Sequence, residues 1–201
     1  MTKSETIEDS YLPAAVAAAR NYYVVISGCS SAGKSSLLRE PADRGYRVFA
    51  EPGRQIVKEQ TFIGGDVFPG KDVYKFSELC ISRSMHNMII AANTASHVFF
   101  DRSIIDNFNG LAQIKGSAPA HIKAVHTFRY SKKVFIAPPW PEIFRNDSER
   151  IHTYDDAVAE YATLLPAYER LGHELVFFPR YRSGSASISS LRSWVSSARP
   201  R

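Results

Sequence analysis

Residues 22–35 read Tyr-Tyr-Val-Val-Ile-Ser-Gly-Cys-Ser-Ser-Ala-Gly-Lys-Ser, an apolar run followed at once by a complete G-x-x-x-x-G-K-[ST] pattern over Gly28–Ser35. The run Tyr22–Ser27 has the composition of a buried strand, and the residues after Lys34, Ser35-Ser36-Leu37-Leu38-Arg39, have that of an amphipathic helix. A glycine-rich turn between a strand and a helix is a phosphate cradle, because Gly28 and Gly33 let the backbone wrap closely while successive N–H groups of Cys29, Ser30, Ser31, Ala32 and Ser36 face an anion. Lys34 is expected to reach the β- and γ-phosphates and Ser35 to put its hydroxyl on Mg2+, with the helix dipole aimed at the same charge. The stretch predicts binding of a nucleoside triphosphate, ATP with Mg2+.

Outward from that loop the chain alternates strands with helices. Strands are expected at 46–50, 97–100, 133–137 and 174–178, and helices after Glu51-Pro52-Gly53 to about Gln60, from Asp72 to about Ser96, at 104–114, 120–128 and 155–171. The first helix is expected to run to about Arg39 and to break at Pro41; residues 61–70, rich in Gly and Pro, read as a loop. Along 72–96 the apolar residues Val73, Phe76, Leu79, Cys80, Met85, Met88, Ile89 and Ala92 recur at helical spacing. The fold class is therefore α/β, a three-layer P-loop sandwich whose five-stranded parallel sheet carries helices on both faces, with a ligand at the carboxyl ends of the strands. Residues 1–20 read as a loose or helical extension, 21–201 as one domain with a lid at about 140–153, and the serine-rich 185–196 as helical.

At 201 residues, 44% hydrophobic and 22% charged, the chain has room for one ordinary core and not for a second catalytic domain. Its two cysteines, Cys29 and Cys80, suit free thiols in a reducing compartment, and six histidines show no metal-ligand spacing. No apolar run is long enough for a membrane span and the start lacks the basic-then-apolar order of a signal peptide, so the cytoplasm is the expected place. The net charge of +5 is compatible with nucleic acid, but the basic residues are dispersed without interleaved aromatics, and a triphosphate-handling protein concentrates Lys and Arg as well. A small-molecule partner is expected, in a monomer or homodimer.

Three clusters, Gly28–Ser35, Glu51–Arg54 and Asp101–Arg102, each fall just past a predicted strand and therefore converge in a parallel sheet. Phosphoryl transfer needs positive charge on the transferring group, a held Mg2+ and a group that orients or deprotonates the acceptor; Glu51, Arg54, Asp101 and Arg102 are residue types for those tasks. Arg145 and Arg150, in the charged segment 144–150, are candidate lid cations. Each has a plainer reading: Glu51 or Asp101 as a helix cap, Arg83 as a solvated helix residue, Arg145 and Arg150 as a solvent face with Asp147 and Glu149.

Glu51-Pro52-Gly53, Ser82-Arg83 and Asp101-Arg102-Ser103 resemble, in order and spacing over about residues 22–110, motifs shared by thymidylate kinases and deoxyribonucleoside kinases. The resemblance implies Glu51 as acceptor base, Arg102 and Arg83 as holders of substrate or transferred phosphate, and Asp101 on Mg2+. Pro138-Pro139-Trp140, residues 146–150, Tyr168-Glu169-Arg170-Leu171-Gly172 and Phe178-Pro179 resemble small P-loop proteins of the AAA-type ATPase label that are related to nicotinamide-riboside kinases, and the loop wording is similar to that of chloramphenicol phosphotransferases. Two departures stand out: Ala50 takes the place of the arginine that thymidylate kinases carry before the E-P-G, and the lid is poorer in arginine than in deoxyribonucleoside kinases. Nucleobase specificity is not carried over. A small-molecule kinase and a nucleotide-dependent regulatory ATPase both remain, and an enclosed acceptor pocket beside Glu51 is the feature that favours the first.

Overall fold

In the computed structural model, residues 11–94, 96–145 and 153–178 are described. Their elements run α1 (Ala15–Ala19), β1 (Tyr23–Gly28), α2 (Lys34–Asp43), β2 (Arg47–Phe49), α3 (Pro52–Ile63), α4 (Val73–Ala91), β3 (Val98–Asp101), α5 (Ile104–Gln113), α6 (Pro119–Thr127), β4 (Lys133–Ala137), α7 (Tyr154–Arg170) and β5 (Glu174–Phe177). All five strands are parallel, in the order β2-β3-β1-β4-β5. All six residues of β1 are buried, as a strand covered on both faces requires, which is why its sequence is a continuous apolar run.

Alternation along the strands sorts the core into two layers. Tyr23, Val25, Phe100 and Ile136 face one side, where Val16 of α1, Met88 of α4, Ile105 of α5, Val125 of α6 and Leu164 of α7 meet them. Val24, Ile26, Phe99 and Phe135 face the other, against Leu37 and Leu38 of α2. Each such fully buried aliphatic or phenyl side chain contributes roughly 1.5–3 kcal/mol relative to exposure. The expected parallel sheet with helices on both faces is what the chain forms.

Register places the site. Ile26 pairs with Asp101, Phe49 with Phe100 and Gly28 with Ala137, so the ends of β1, β2, β3 and β4 lie at one level. The chain runs from β1 outward to β2, back to β3 and then across β1 to β4 on its other side, and the crevice of such a switch point opens above β1.

Several boundaries differ from the expected ones, each for a local reason. Helix α2 does not stop at Arg39: Pro41 lies inside it, close enough to the end that the missing N–H costs one bond, and its ring is buried. Helix α3 continues through Thr61–Ile63, residues expected in a loop, until Gly64 stops it at φ 67°. Helix α4 starts after Asp72, whose carboxylate accepts the Lys75 N–H, and ends at Ala91, short of Ser96, in a tightened turn closed by the Ala92 N–H on Ile89 O. Leu79, one of the apolar residues at helical spacing along α4, is 40% exposed; consecutive helical residues point about 100° apart, and its neighbour Cys80 holds the buried position. The second half of the N-terminal extension is part of the fold, since Val16 and Ala19 are buried in the main core. The expected helix at 185–196 and half of the expected lid, residues 146–152 with Arg150, lie outside the described residues.

Candidate active site

The loop after β1 takes its shape from two contacts. Gly28 sits at φ 117°, and a Cβ there would come within 2.2 Å of Ala137 O, so only glycine lets the loop pass against β4. The Cys29 N–H donates to the same Ala137 carbonyl at 2.9 Å, fixing the turn. Ser31 and Gly33 also have positive φ, 56° and 77°, which folds the loop before α2 starts at Lys34. The Lys34 ammonium, buried, donates to Cys29 O at 2.7 Å across the loop. Burial pushes the Cys29 thiol pKa up, although Lys34 and Arg102 pull the other way. Cys29 is buried in the wall of the loop, its thiol directed at Ala157 O.

A cavity of about 210 Å³ opens in front of the loop, lined by Ser31–Ser35 together with Glu51, Arg54, Asp101, Ile143 and Arg145. Five of the expected site positions outside or at the end of the loop thus share one space: Ser35, Glu51, Arg54, Asp101 and Arg145. The chain at Arg145 rests on the loop here, Ser31 Oγ donating to Arg145 O at 2.7 Å.

A second cavity, about 440 Å³, adjoins the first at Glu51 and Arg54, which line both. Its walls come from α3 (Gly53, Val57), the following loop and α4 (Pro69, Val73, Phe76, Ser77), α5 (Asp106, Asn107, Gly110) and α7 (Asp156, Glu160). Small residues keep it open: a Cβ on Gly53 would lie 3.3 Å from Phe76 Cζ. The volume is that of a small-molecule site.

Arg102 lines the larger cavity and pairs with Glu51, which lines both. Directly after β3 it takes φ 65°, its N–H bonding Ile26 O at 3.0 Å, and this turn sends a long side chain into the interior. Its guanidinium lies 3.2 Å from Glu51 Oε1, 3.2 Å from Asp106 Oδ1 and 3.1 Å from Glu160 Oε1. Burial works against the cation, but Glu160, Glu51, Asp106 and Asp101 together outweigh it and hold the Arg102 pKa well above the usual value. The buried Asp106 carboxylate is in turn held by Ser27 Oγ at 2.5 Å, Tyr168 OH at 2.5 Å, and the Ser103 N–H and Oγ at 2.8 and 3.0 Å. Four elements, β1, α3, α5 and α7, are tied through this one cluster.

The helix-cap readings can now be weighed. Glu51 occupies the N-cap position of α3, yet its side chain makes no capping hydrogen bond and pairs instead with Arg102 and, at 3.7 Å, with Arg54. Asp101 does not cap α5: Ser103 does, in a capping box closed by Asp106. Arg83 is not among the residues lining either cavity; it makes a two-pronged pair with Glu59, 3.0 Å at each oxygen, joining α4 to α3.

Sequence reasoning gave Ser27, Asp106, Glu160 and Tyr168 no role in the site. Ser103-x-x-Asp106 carries a readable cap spacing, but nothing in it says that the same carboxylate will meet Arg102 and a tyrosine 62 residues away. Glu160 lies on a helix whose approach to α5 is a matter of packing.

A phosphate loop after the central strand of a parallel sheet, with acids and guanidiniums gathered at the same end, defines a P-loop nucleotide-binding protein. The chain belongs to the AAA domain family, whose model matches residues 23–185. Among solved structures its fold is similar to that of deoxyadenosine kinase from M. mycoides. The structure of that kinase with the products dCMP and a flexible dCDP aligns at TM-score 0.59 and 18% identity, covering 87% of this chain and 99% of that one. Its dATP-bound structure aligns at 0.52 and 15%, with the same coverage, and its dCTP-bound structure at 0.53 and 14%, covering 87% and 98%. At such identities the likeness is one of fold. No curated protein sequence matches the chain, and among the described residues no helix is long and apolar enough to cross a membrane.

Proposed function

We propose that this chain is an ATP-dependent phosphotransferase that moves the γ-phosphate to a hydroxyl group of a small molecule of about nucleoside size. The observation that carries the reading is the pair of adjoining cavities with Glu51 at their junction: one has the phosphate loop as its wall, the other has the volume for an acceptor. The fold similarity to a deoxyadenosine kinase supports the same reaction class. The two cysteines, both free and buried, suit a reducing cytoplasm, and residues 140–153 are proposed as the lid.

The residues present fit Mg2+. Ser35 and Asp101 line the phosphate-loop cavity together, and among the described residues no group of three or more His, Cys, Asp or Glu could hold an ion by itself, as suits a cation that shares its ligands with waters and phosphates. When bound, the ion would neutralise charge on the β- and γ-phosphates. The chain's own contributions are distinct. The loop N–H groups and Lys34 hold the triphosphate, with the Lys34 ammonium exchanging its bond to Cys29 O for phosphate oxygens. Arg102 fixes the Glu51 carboxylate at the junction of the cavities, so that an oxygen of Glu51 can accept the acceptor's hydroxyl proton. As that proton leaves, the acceptor oxygen bonds to the γ-phosphorus, the bond from the γ-phosphorus to the bridging oxygen breaks, and ADP departs with the negative charge. Arg145 at the cavity edge and Arg150 farther along the lid are placed in sequence to offset charge in the transition state.

The test is a screen of nucleosides, nucleotides and amino alcohols with ATP and Mg2+, scored by a phosphorylated product and not by ADP alone. Turnover with water only, across the whole screen, would overturn the transferase reading in favour of a regulatory ATPase.

A further inference from the structure

The wall that α4 and α5 give the larger cavity holds two uncharged polar groups outside the ion-pair network. The charged lining is engaged: Arg102 lies against Glu51, Asp106 and Glu160, Arg54 against Glu51, and the Asp156 carboxylate accepts from the Thr153 N–H and Oγ at the start of α7. Ser77 of α4 lines the same cavity and is 5% exposed. A helical serine commonly turns its hydroxyl back onto the carbonyl one turn earlier, as Ser84 of this helix does, Oγ to Cys80 O at 2.8 Å. Ser77 does not: its Oγ has no hydrogen-bond partner among the described residues. It lies 3.7 Å from the position that a Cβ on Gly110 would take, so the missing side chain leaves room in front of it. Asn107 stands three residues before Gly110 on α5 and so on the same face. Its Nδ2 donates to Ser103 O at 3.3 Å, which leaves Oδ1 as the oxygen it offers the cavity.

We infer that Ser77 and Asn107 are specificity-determining residues of the acceptor site, and that they select a hydroxyl compound whose ring carries an uncharged amino group. This rests on the phosphotransferase reading above and narrows it. The Asn107 Oδ1 can only accept, and the Ser77 hydroxyl can accept as well. An amino group on an unsaturated ring is uncharged at neutral pH and brings two N–H donors, where a hydroxyl brings one. A compound without it would displace water from both oxygens and return no hydrogen bond. Sites built in that way reject the analogue that lacks one polar group far more strongly than an apolar pocket rejects a missing methylene. The ring itself lies on Phe76 and Val73 of the same wall, and the hydroxyl to be phosphorylated has Glu51 as proton acceptor.

The experiment measures binding to the full chain with Mg2+ and a non-hydrolysable ATP analogue. Its probes are three nucleoside pairs in which an amino group is replaced by hydrogen without added bulk: adenosine and purine riboside, cytidine and pyrimidin-2-one riboside, guanosine and inosine. In at least one pair the amino member should bind saturably and roughly tenfold or more tighter than its partner. Ser77→Ala and Asn107→Ala should each narrow that ratio several-fold with the affinity for the ATP analogue unchanged, since neither residue lines the phosphate-loop cavity. A merely structural role would weaken both members of a pair alike and leave the ratio where it was. Equal affinities in all three pairs, no saturable binding of any of these nucleosides, or a ratio unmoved by both variants overturns the inference. The phosphotransferase reading fails separately, when the amino compound binds as expected but with ATP no phosphate ester forms and only water is consumed.

Discussion

Arg102 and Glu51 form a buried ion pair, Nε to Oε1 at 3.2 Å, with the side chains 8% and 13% exposed, at the boundary between the phosphate-loop cavity and the larger cavity beside it. One residue follows β3 and the other follows β2, so the pair exists only because the two strands neighbour each other in register. It fixes a carboxylate where the two cavities join, the place at which the proposed reaction brings an acceptor hydroxyl to a γ-phosphate. An acid that merely capped α3 would have turned back onto the helix N–H groups.

Glu51→Gln keeps the size of the side chain and removes its ability to take a proton. Transfer to a hydroxyl acceptor should fall by roughly a hundredfold or more with ATP affinity little changed. Steady-state kinetics with a true acceptor checks this, and near-parental kcat and acceptor KM would return Glu51 to a structural role.

Lys34→Ala removes the ammonium that faces the loop and leaves the strand and helix around it unchanged. ATP affinity should drop at least about tenfold and turnover should be lost, while the thermal midpoint stays close to that of the parent. Nucleotide titration followed by a melting curve separates the two effects; equal ATP turnover would sink the loop assignment.

Asp106→Asn puts an amide among Ser27, Ser103, Tyr168 and Arg102, all of which direct donors at the present carboxylate. An NH2 group facing donors, and a buried Arg102 with one fewer counter-charge, should cost about 2–4 kcal/mol. Urea unfolding measures it. A change below about 0.5 kcal/mol would show that surface-level electrostatics, not a buried network, governs this position.

His173 supplies a pH signature. Burial lowers its pKa below the usual 6.5, helped by the nearby Arg129, although bonds to the Ser131 and Lys132 backbone oppose the shift. A histidine whose folded value is depressed contributes stability that is complete above the unfolded value, about 6.5, and is lost as pH falls through the folded value, because the unfolded chain binds the proton more readily. The unfolding midpoint should therefore decline on acidification below about pH 6.5, and His173→Gln should flatten that decline; an identical slope in the variant would remove His173 from the account.

The sequence by itself determined the elements that are spelled locally. Tyr22–Ser27 reads as a buried strand, within a residue at each end of the observed β1, Gly28–Ser35 reads as a phosphate loop, and the β4 segment 133–137 is legible to the residue, because strand period, glycine need and helix start are short-range properties. Placing Glu51, Asp101 and Lys34 together also followed, since in a parallel sheet everything just past a strand shares one edge. Boundaries such as Pro41 within α2 and Gly64 after α3 depend on a turn's worth of packing and cap geometry, which composition only hints at. What tertiary structure alone decided is the side-chain partnership: Arg102 with Glu51, Asp106 and Glu160, Tyr168 on Asp106, and Arg83 on Glu59 instead of a cavity wall. These join residues up to 62 apart through the docking of α3, α4, α5 and α7 on the sheet and on one another. Charge partners are selected by that docking, and no spacing along the chain records it.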